Sequence, residues 1–259
     1  MKPVSVRGVK IGEGMPKISV SLTATTIAEL LEDAELIVGD VSASSVIDIV
    51  EWRVDYFLDS VDFDALSALR RVIGVKPLMF TYRTPSEGGA GTKSCNYEML
   101  LTTAIDSGLI DLVDVELFVG DEIASKLIDY AHVHDVKVIA SNHDFTGTPT
   151  LDEILSRLKK MQSLGADILK IAVMPKQLKD VLTLLEATVV MHEQYANCPL
   201  VTIAMSDLGA ISRVTGEVFG SSITFGTLGK MSAPGQIAVS ELSEMLLRMH
   251  HIFPNENKL

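Results

Sequence analysis

The chain has little cysteine, a deficit of basic charge, no long apolar run and no phosphate-binding loop. Of its 259 residues two are cysteines, Cys95 and Cys198. They stand far apart and without metal-ligand spacing. That removes a disulfide framework and a thiolate metal site, and leaves two reduced thiols in a cytosolic protein as the expectation. Basic residues number 22 against 34 acidic ones, for a formal net charge of −12. Nucleic acid and anionic membrane both require a basic face, so neither is expected as a partner. An anionic small molecule remains admissible, because a pocket can be locally positive on an acidic protein. No stretch of about 18 apolar residues appears, so no membrane span is expected. The N-terminal MKPVSVRGVKIGEG lacks an apolar run of signal-peptide length, and a cytoplasmic location is expected. Neither a GxGxxG nor a P-loop pattern occurs, which counts against an open, doubly wound, nucleotide-binding sheet.

What is present is a repeat of short β-rich apolar runs, each followed by a helical pattern. The strand runs are Lys17–Leu22, Ile47–Arg53, Pro77–Arg83, Leu112–Leu117, Val136–Asn142, Ile168–Val173, Leu200–Met205 and Ser222–Phe225. The helical stretches that follow them are Thr26–Leu36, Phe63–Ile73, Tyr97–Asp106, Asp121–His134, Leu151–Leu164, Gln177–Tyr195, Gly209–Thr215 and Val239–His251. Strict alternation implies a parallel sheet with helical crossovers. Eight repeats in about 250 residues predict a closed (β/α)8 TIM barrel, a single α/β domain spanning residues 1–259. Its strands read as continuous apolar runs, as strands buried on both faces do. A chain of this length buries enough surface to need no disulfide or metal staple. Residues 1–16 read differently: Val4–Val6 and Val9–Ile11 flank Arg7-Gly8, which predicts a β-hairpin plugging the N-terminal end of the barrel.

In such a barrel the functional residues lie where strands end and the following loops begin. Nearly every strand places a polar group there: Ser21, Glu51-Trp52-Arg53, Arg83 with Glu87-Gly88-Gly89 beyond it, Asp114 and Glu116, Ser141-Asn142-His143-Asp144, Lys170, Arg213, and Ser232 with Gln236. Lys170 is the most telling, because it interrupts the apolar run Ile168–Val173. Lysine is rarely buried without a partner. Burial in a low-dielectric site favours a neutral amine, and a neutral amine attacks carbonyls to form imines. The competing reading is a structural lysine paired with Glu116 or Asp114 across the barrel. His143 follows an apolar run and opens a polar loop; it is a candidate general acid–base, or else a loop histidine bonded to backbone. Arg53, Arg83 and Arg213 come from three segments. Together they suit a substrate carrying a carboxylate and hydroxyls, although each alone is also readable as a salt-bridge arginine. Glu51 either accepts bonds from hydroxyls or neutralises an arginine. Gly226–Gln236, with three glycines and a proline, reads as a loop over the barrel mouth, either a lid or an ordinary mobile loop.

Read in order, Glu51-Trp52-Arg53, Thr81-Tyr82-Arg83 with Glu87-Gly88-Gly89, Ser141-Asn142-His143-Asp144-Phe145, Lys170-Ile171-Ala172, Ile211-Ser212-Arg213, Gly216–Ser221 and Ser232–Gln236 resemble the type I 3-dehydroquinate dehydratases. The resemblance covers essentially the whole chain. It departs at Tyr82, where phenylalanine is common, and at Leu169, where proline often precedes the lysine. It implies that Lys170 forms an imine with the C3 ketone of 3-dehydroquinate, and that His143 removes the C2 proton and then protonates the leaving C1 hydroxyl. It further implies that Glu87 holds His143, and that Arg213, helped by Ser232 and Gln236, binds the carboxylate. Ser21, Glu51, Trp52, Arg53 and Arg83 would bind ring hydroxyls and shape the pocket. No metal, no organic cofactor and a homodimer are what the resemblance implies for cofactors and partners. A class I aldolase barrel and a non-catalytic ligand binder are the rival readings.

Overall fold

All eight apolar runs form strands in a computed structural model of the chain, which describes residues 1–39, 41–57, 63–91, 95–229 and 231–253. Two short strands come first, β1 (Val4–Val6) and β2 (Val9–Ile11), paired antiparallel with Val4 opposite Ile11 and Val6 opposite Val9. The turn between them uses left-handed backbone at Arg7 (φ 45°) and Gly8 (φ 84°), the twist that a tight hairpin requires. The barrel strands are β3 (Lys17–Leu22), β4 (Ile49–Arg53), β5 (Leu78–Thr81), β6 (Leu112–Glu116), β7 (Lys137–Asp144), β8 (Ile168–Val173), β9 (Leu200–Ala204) and β10 (Ile223–Thr227). Each pairs in parallel with its neighbour from β10 through β3 to β9. The ring closes between β9 and β10 through a parallel bridge of Leu200 with Ser221, where Ser222 N donates to Leu200 O at 2.7 Å.

Helices cover the outside: α1 (Ile27–Gly39), α2 (Val41–Val46), α3 (Phe63–Ile73), α4 (Tyr97–Asp106), α5 (Asp121–Val133), α6 (Leu151–Ser163), α7 (Leu178–Gln194), α8 (Ala210–Val214), α9 (Gly216–Phe219) and α10 (Val239–Ile252). A two-residue strand, β11 (Ile237–Ala238), adds to β10 just before α10. The short helices α2 and α9, and β11, have no distinct signal in the sequence pattern; they are too brief to show a period.

The strand alternation sorts side chains into two cores. Outward-facing Val20, Trp52, Phe80, Val113, Val138, Leu169 and Ile171 pack under the helices. Inward-facing Ile49, Met79, Leu112, Ile139, Ile168, Val201 and Ile223 fill the lower barrel, and Val6 and Ile11 of the hairpin close it from below. Arg7 of the hairpin turn is tied to Asp111, just ahead of β6, at 2.6 Å. The predicted plug is therefore present.

Strand ends differ from the sequence reading at one place that matters. His143 does not open a loop: β7 runs on to Asp144, with His143 paired to Ala172 and Asp144 to Val173. The polar run Ser141–Asp144 hides a strand because its inward residues face a polar barrel mouth and its outward Asn142 is hydrogen-bonded.

Candidate active site

Above the apolar floor the barrel interior turns abruptly ionic. Register sets the layout. Lys170 lies beside Ser141 on β7, and His143 lies two residues further along, beside Ala172. Because successive strand residues alternate in direction, Lys170 and His143 share the inner face at successive levels. Lys170 is 4% exposed. Its Nζ lies 3.2 Å from Asp114 Oδ2, 3.9 Å from Glu51 Oε1 and 4.7 Å from the centre of the Phe225 ring. The pairing with Asp114 weighed in the sequence reading is thus real, and Glu116 is not part of it.

The three arginines differ in what holds them. Arg53 is bound bidentately by Asp55, Nε to Oδ1 and Nη2 to Oδ2, both at 2.8 Å. Arg83 is the hub of the mouth: Nη2 meets Asp114 Oδ2 at 2.8 Å, and Nη1 donates to Glu116 Oε1 at 2.8 Å and to Ser141 Oγ at 2.9 Å. Burial penalises its charge, but Asp114, Glu116 and Glu87 outweigh that and hold it well above the usual guanidinium value. Burial likewise penalises the Asp114 carboxylate, yet Arg83, Lys170 and the bond from Ser141 hold it down at about 2. Arg213 stands apart. It is 1% exposed, donates from Nη2 to Pro234 O at 3.0 Å, and among the described residues has no partner at Nε or Nη1. With no carboxylate beside it among the described residues, burial lowers its guanidinium to about 10. A buried cation with free donors is a site for an anion.

His143 is held by Glu87, which reaches over from the loop after β5. Glu87 Oε2 accepts from His143 N at 2.8 Å and lies 3.0 Å from its Nδ1. Burial, with the charges of Arg83, Lys170 and Arg53, holds the imidazole well below its ordinary 6.5. The contact with Glu87 is therefore a hydrogen bond from a neutral ring. Burial pushes the Glu87 carboxyl up to about 7, opposed by Arg83 and by a bond from Asn142, and reinforced by Glu116 and Asp114. With Glu87 ionised, Nδ1 carries the proton and Nε2 is left as a base.

The rest of the mouth is built around these groups. Ser21 donates to Glu51 Oε2, and Thr81 Oγ1 donates to Glu51 Oε1 at 2.8 Å. Residues 228–229 and 231–236 of the loop after β10 cross above; Lys230 lies outside the described residues. Its Ser232 N donates to Gln236 Oε1 at 2.8 Å, and Gln236 Nε2 donates to Ser232 Oγ at 2.9 Å. Gly226, read as the loop's start, instead belongs to β10. Together these segments form a pocket open to solvent, lined by Ser21, Glu51, Arg53, Arg83, Glu87, His143, Lys170, Arg213, Ser232 and Gln236.

Trp52 is the exception among the residues expected at the site. It lies between Glu51 and Arg53, so its side chain points outward. There it is fully buried, edge-on to Phe57 at 5.5 Å and Phe80 at 5.9 Å. It is a core residue, and strand alternation is the reason. The sequence reading also missed the cavity's apolar wall of Phe145, Ala172, Ile203, Met205 and Phe225. Ala172 follows Lys170 at the period of two, so alternation alone pointed to it. The sequence gives no sign of Asp55, whose Oδ2 accepts from Ala90 N at 3.0 Å and anchors the Glu87 loop to the turn after β4.

Among the described residues there is no group of three or more histidine, cysteine or acidic side chains placed to hold a metal. Among them, too, no helix is long and apolar enough to cross a membrane. The family model described as Type I 3-dehydroquinase matches residues 18–253. The 3-dehydroquinate dehydratase of Escherichia coli O17:K52:H18 is 49% identical over 255 residues, covering 96% of this chain and 99% of that protein. A crystal structure of type I 3-dehydroquinate dehydratase from Clostridium difficile, with covalently modified comenic acid, superimposes with a TM-score of 0.92. It is 44% identical, over 97% of this chain and 99% of that one. The 3-dehydroquinate dehydratase of Geobacillus kaustophilus gives a TM-score of 0.90 at 33% identity, over 98% of both chains.

Proposed function

The chain belongs to the type I 3-dehydroquinase family, enzymes that dehydrate 3-dehydroquinate in the shikimate pathway, and from that premise we propose that Lys170 carries the dehydration as a covalent imine. The observation that supports this best is the β7–β8 register, which sets Lys170 and a Glu87-held His143 on one inward face.

The steps follow from the groups present. Substrate enters with its carboxylate on the free donors of Arg213, and Ser232 and Gln236 cover it from the loop. Lys170 Nζ, having released its proton, attacks the C3 ketone. The resulting carbinolamine receives on its hydroxyl the proton that Lys170 gave up, carried by His143, loses that hydroxyl as water and becomes an iminium, whose positive charge the Asp114 carboxylate faces. The iminium draws electrons from the adjacent C2–H bond. His143 Nε2 takes that proton, and an enamine forms. The enamine expels the C1 hydroxyl, which leaves as water with the proton from His143, a syn elimination by one acid–base residue. Water then hydrolyses the iminium, freeing 3-dehydroshikimate and Lys170. Glu51, with Ser21 and Thr81, and the guanidinium groups of Arg53 and Arg83 contact the ring hydroxyls.

Incubation with 3-dehydroquinate and borohydride, followed by peptide mass analysis, tests the imine. A reduced adduct on Lys170, absent from Lys170→Ala, is expected. Adduct on another residue, or none, rejects the mechanism. A cytoplasmic homodimer is part of the same proposal, on the strength of the family resemblance; light scattering of the purified chain and fractionation of cells check it.

A further inference from the structure

Asn142 lies on β7 between Ser141 and His143, on the face turned away from the cavity. Its side chain is buried and engaged at both ends. Nδ2 donates to Glu87 Oε1 at 3.1 Å, and Oδ1 accepts from Arg157 Nη1 at 2.8 Å. Arg157, on α6, is itself fixed. Its Nε donates to Glu153 Oε1 at 2.7 Å, its Nη1 lies 3.6 Å from Asp144 Oδ2, and its guanidinium sits 5.3 Å from the centre of the Phe118 ring. One amide orientation satisfies both contacts. The flipped amide would set NH2 against a guanidinium and oxygen against a carboxylate. The two oxygens of Glu87 thus divide their work: Asn142 holds Oε1, while His143 N and Nδ1 share Oε2.

We propose that Asn142, braced by Arg157, is a positioning residue for the dehydration, pinning Glu87 so that its second oxygen faces His143 Nδ1. The inference rests on the reading of His143 as the base. A carboxylate held at one oxygen can rotate about its last bond and lose the line to the ring. The amide also donates to the ionised form and so favours it over the acid. Arg83, more strongly, and the backbone N–H of His143 also favour the ionised form. Arg83 Nη1 is 3.6 Å from Glu87 Oε2, whereas Asp114 and Glu116 on β6 oppose its ionisation. His143 faces it from β7, and Lys170 on β8 and Arg53 on β4 act on His143. Without the amide, Glu87 moves toward the neutral acid. A neutral acid can donate to Nδ1, which leaves the imidazole proton on Nε2, where it blocks proton abstraction.

The test is the pH dependence of kcat/KM and kcat, read from product absorbance, for the parent, Asn142→Ala, Arg157→Gln and Arg157→Lys. For Asn142→Ala the acidic limb is expected to move up by about one pH unit and kcat to fall about tenfold, with KM within about twofold, as for loss of one bond to a charged group. Arg157→Gln shifts the limb in the same direction by less, and Arg157→Lys restores part of it. Should Asn142→Ala fail to fold, Arg157→Gln, changed at the barrel's outer face, carries the test alone. An unmoved limb in a folded variant overturns the proposal, provided that borohydride still traps the Lys170 adduct in the parent. If no adduct forms in the parent, the imine reading has failed instead.

Discussion

Arg53, Arg83 and Arg213 are all buried, and their partners separate them. Arg53 and Arg83 face carboxylates, while among the described residues Arg213 faces none and keeps two donor groups unpaired. The carboxylate-binding role proposed for Arg213 follows from that difference, which no sequence spacing reveals. The titrating group at the site is also decided by surroundings. His143 is held neutral well below 6.5, so Glu87, pushed up to about 7, is the group that ionises near neutrality. In the mechanism proposed above, the active form has Glu87 as the anion. Activity is therefore present above about pH 7 and lost as pH falls through it. For Glu87→Gln we predict that the limb near pH 7 disappears from the kcat/KM profile and that kcat drops by roughly 10²-fold, the lower range for disturbed acid–base catalysis. A limb that persists in this variant would assign the titration to a different group.

Among elements, the loop from β5 carries the tightest demands. Gly88 has φ 79°, and a Cβ there would lie 2.4 Å from the Phe145 ring. A Cβ on Gly89 would lie 1.9 Å from the carbonyl oxygen of Arg83, a backbone atom that cannot step aside. Glu87 reaches His143 because the chain folds this closely against itself. Gly89→Ala should cost about 2 kcal/mol or more of stability, judged by overpacking and backbone strain, and should lower kcat by displacing Glu87. Chemical unfolding together with steady-state kinetics measures both; a stable variant with parental kcat would mean that the loop tolerates a wider path. The motif Glu87-Gly88-Gly89 is visible in the sequence, but its reason is not, since the atoms it avoids belong to residues 6 and 57 positions away. Elements also account for the errors. From sequence alone His143 reads as loop because Ser-Asn-His-Asp is polar, and only pairing with β8 makes it strand. Trp52 reads as a site residue because it sits between Glu51 and Arg53, and alternation turns it outward.

For the molecule as a whole, the barrel is an apolar floor beneath a layer of buried charge. The hairpin plug closes that floor, with Ile11 fully buried beneath the barrel. Ile11→Ala should therefore destabilise by about 2–5 kcal/mol, as for large-to-small changes in a core, and leave KM near the parental value because the plug is at the opposite end from the cavity. Thermal unfolding and kinetics check this, and a change in KM of tenfold would show that the two ends are coupled. Element order, barrel class and the inward-facing polar residues were determined by the sequence, because strand and helix periods and the position of polar groups at strand ends are local properties. Lys170 stood out there for the same reason: a charge inside an apolar run is visible without any neighbour. Which acid meets Lys170, which arginine keeps free donors, which carboxyl ionises near neutrality and which way Trp52 points were decided by the tertiary structure. Each depends on groups brought together from distant strands, and on the burial that makes their charges act on one another.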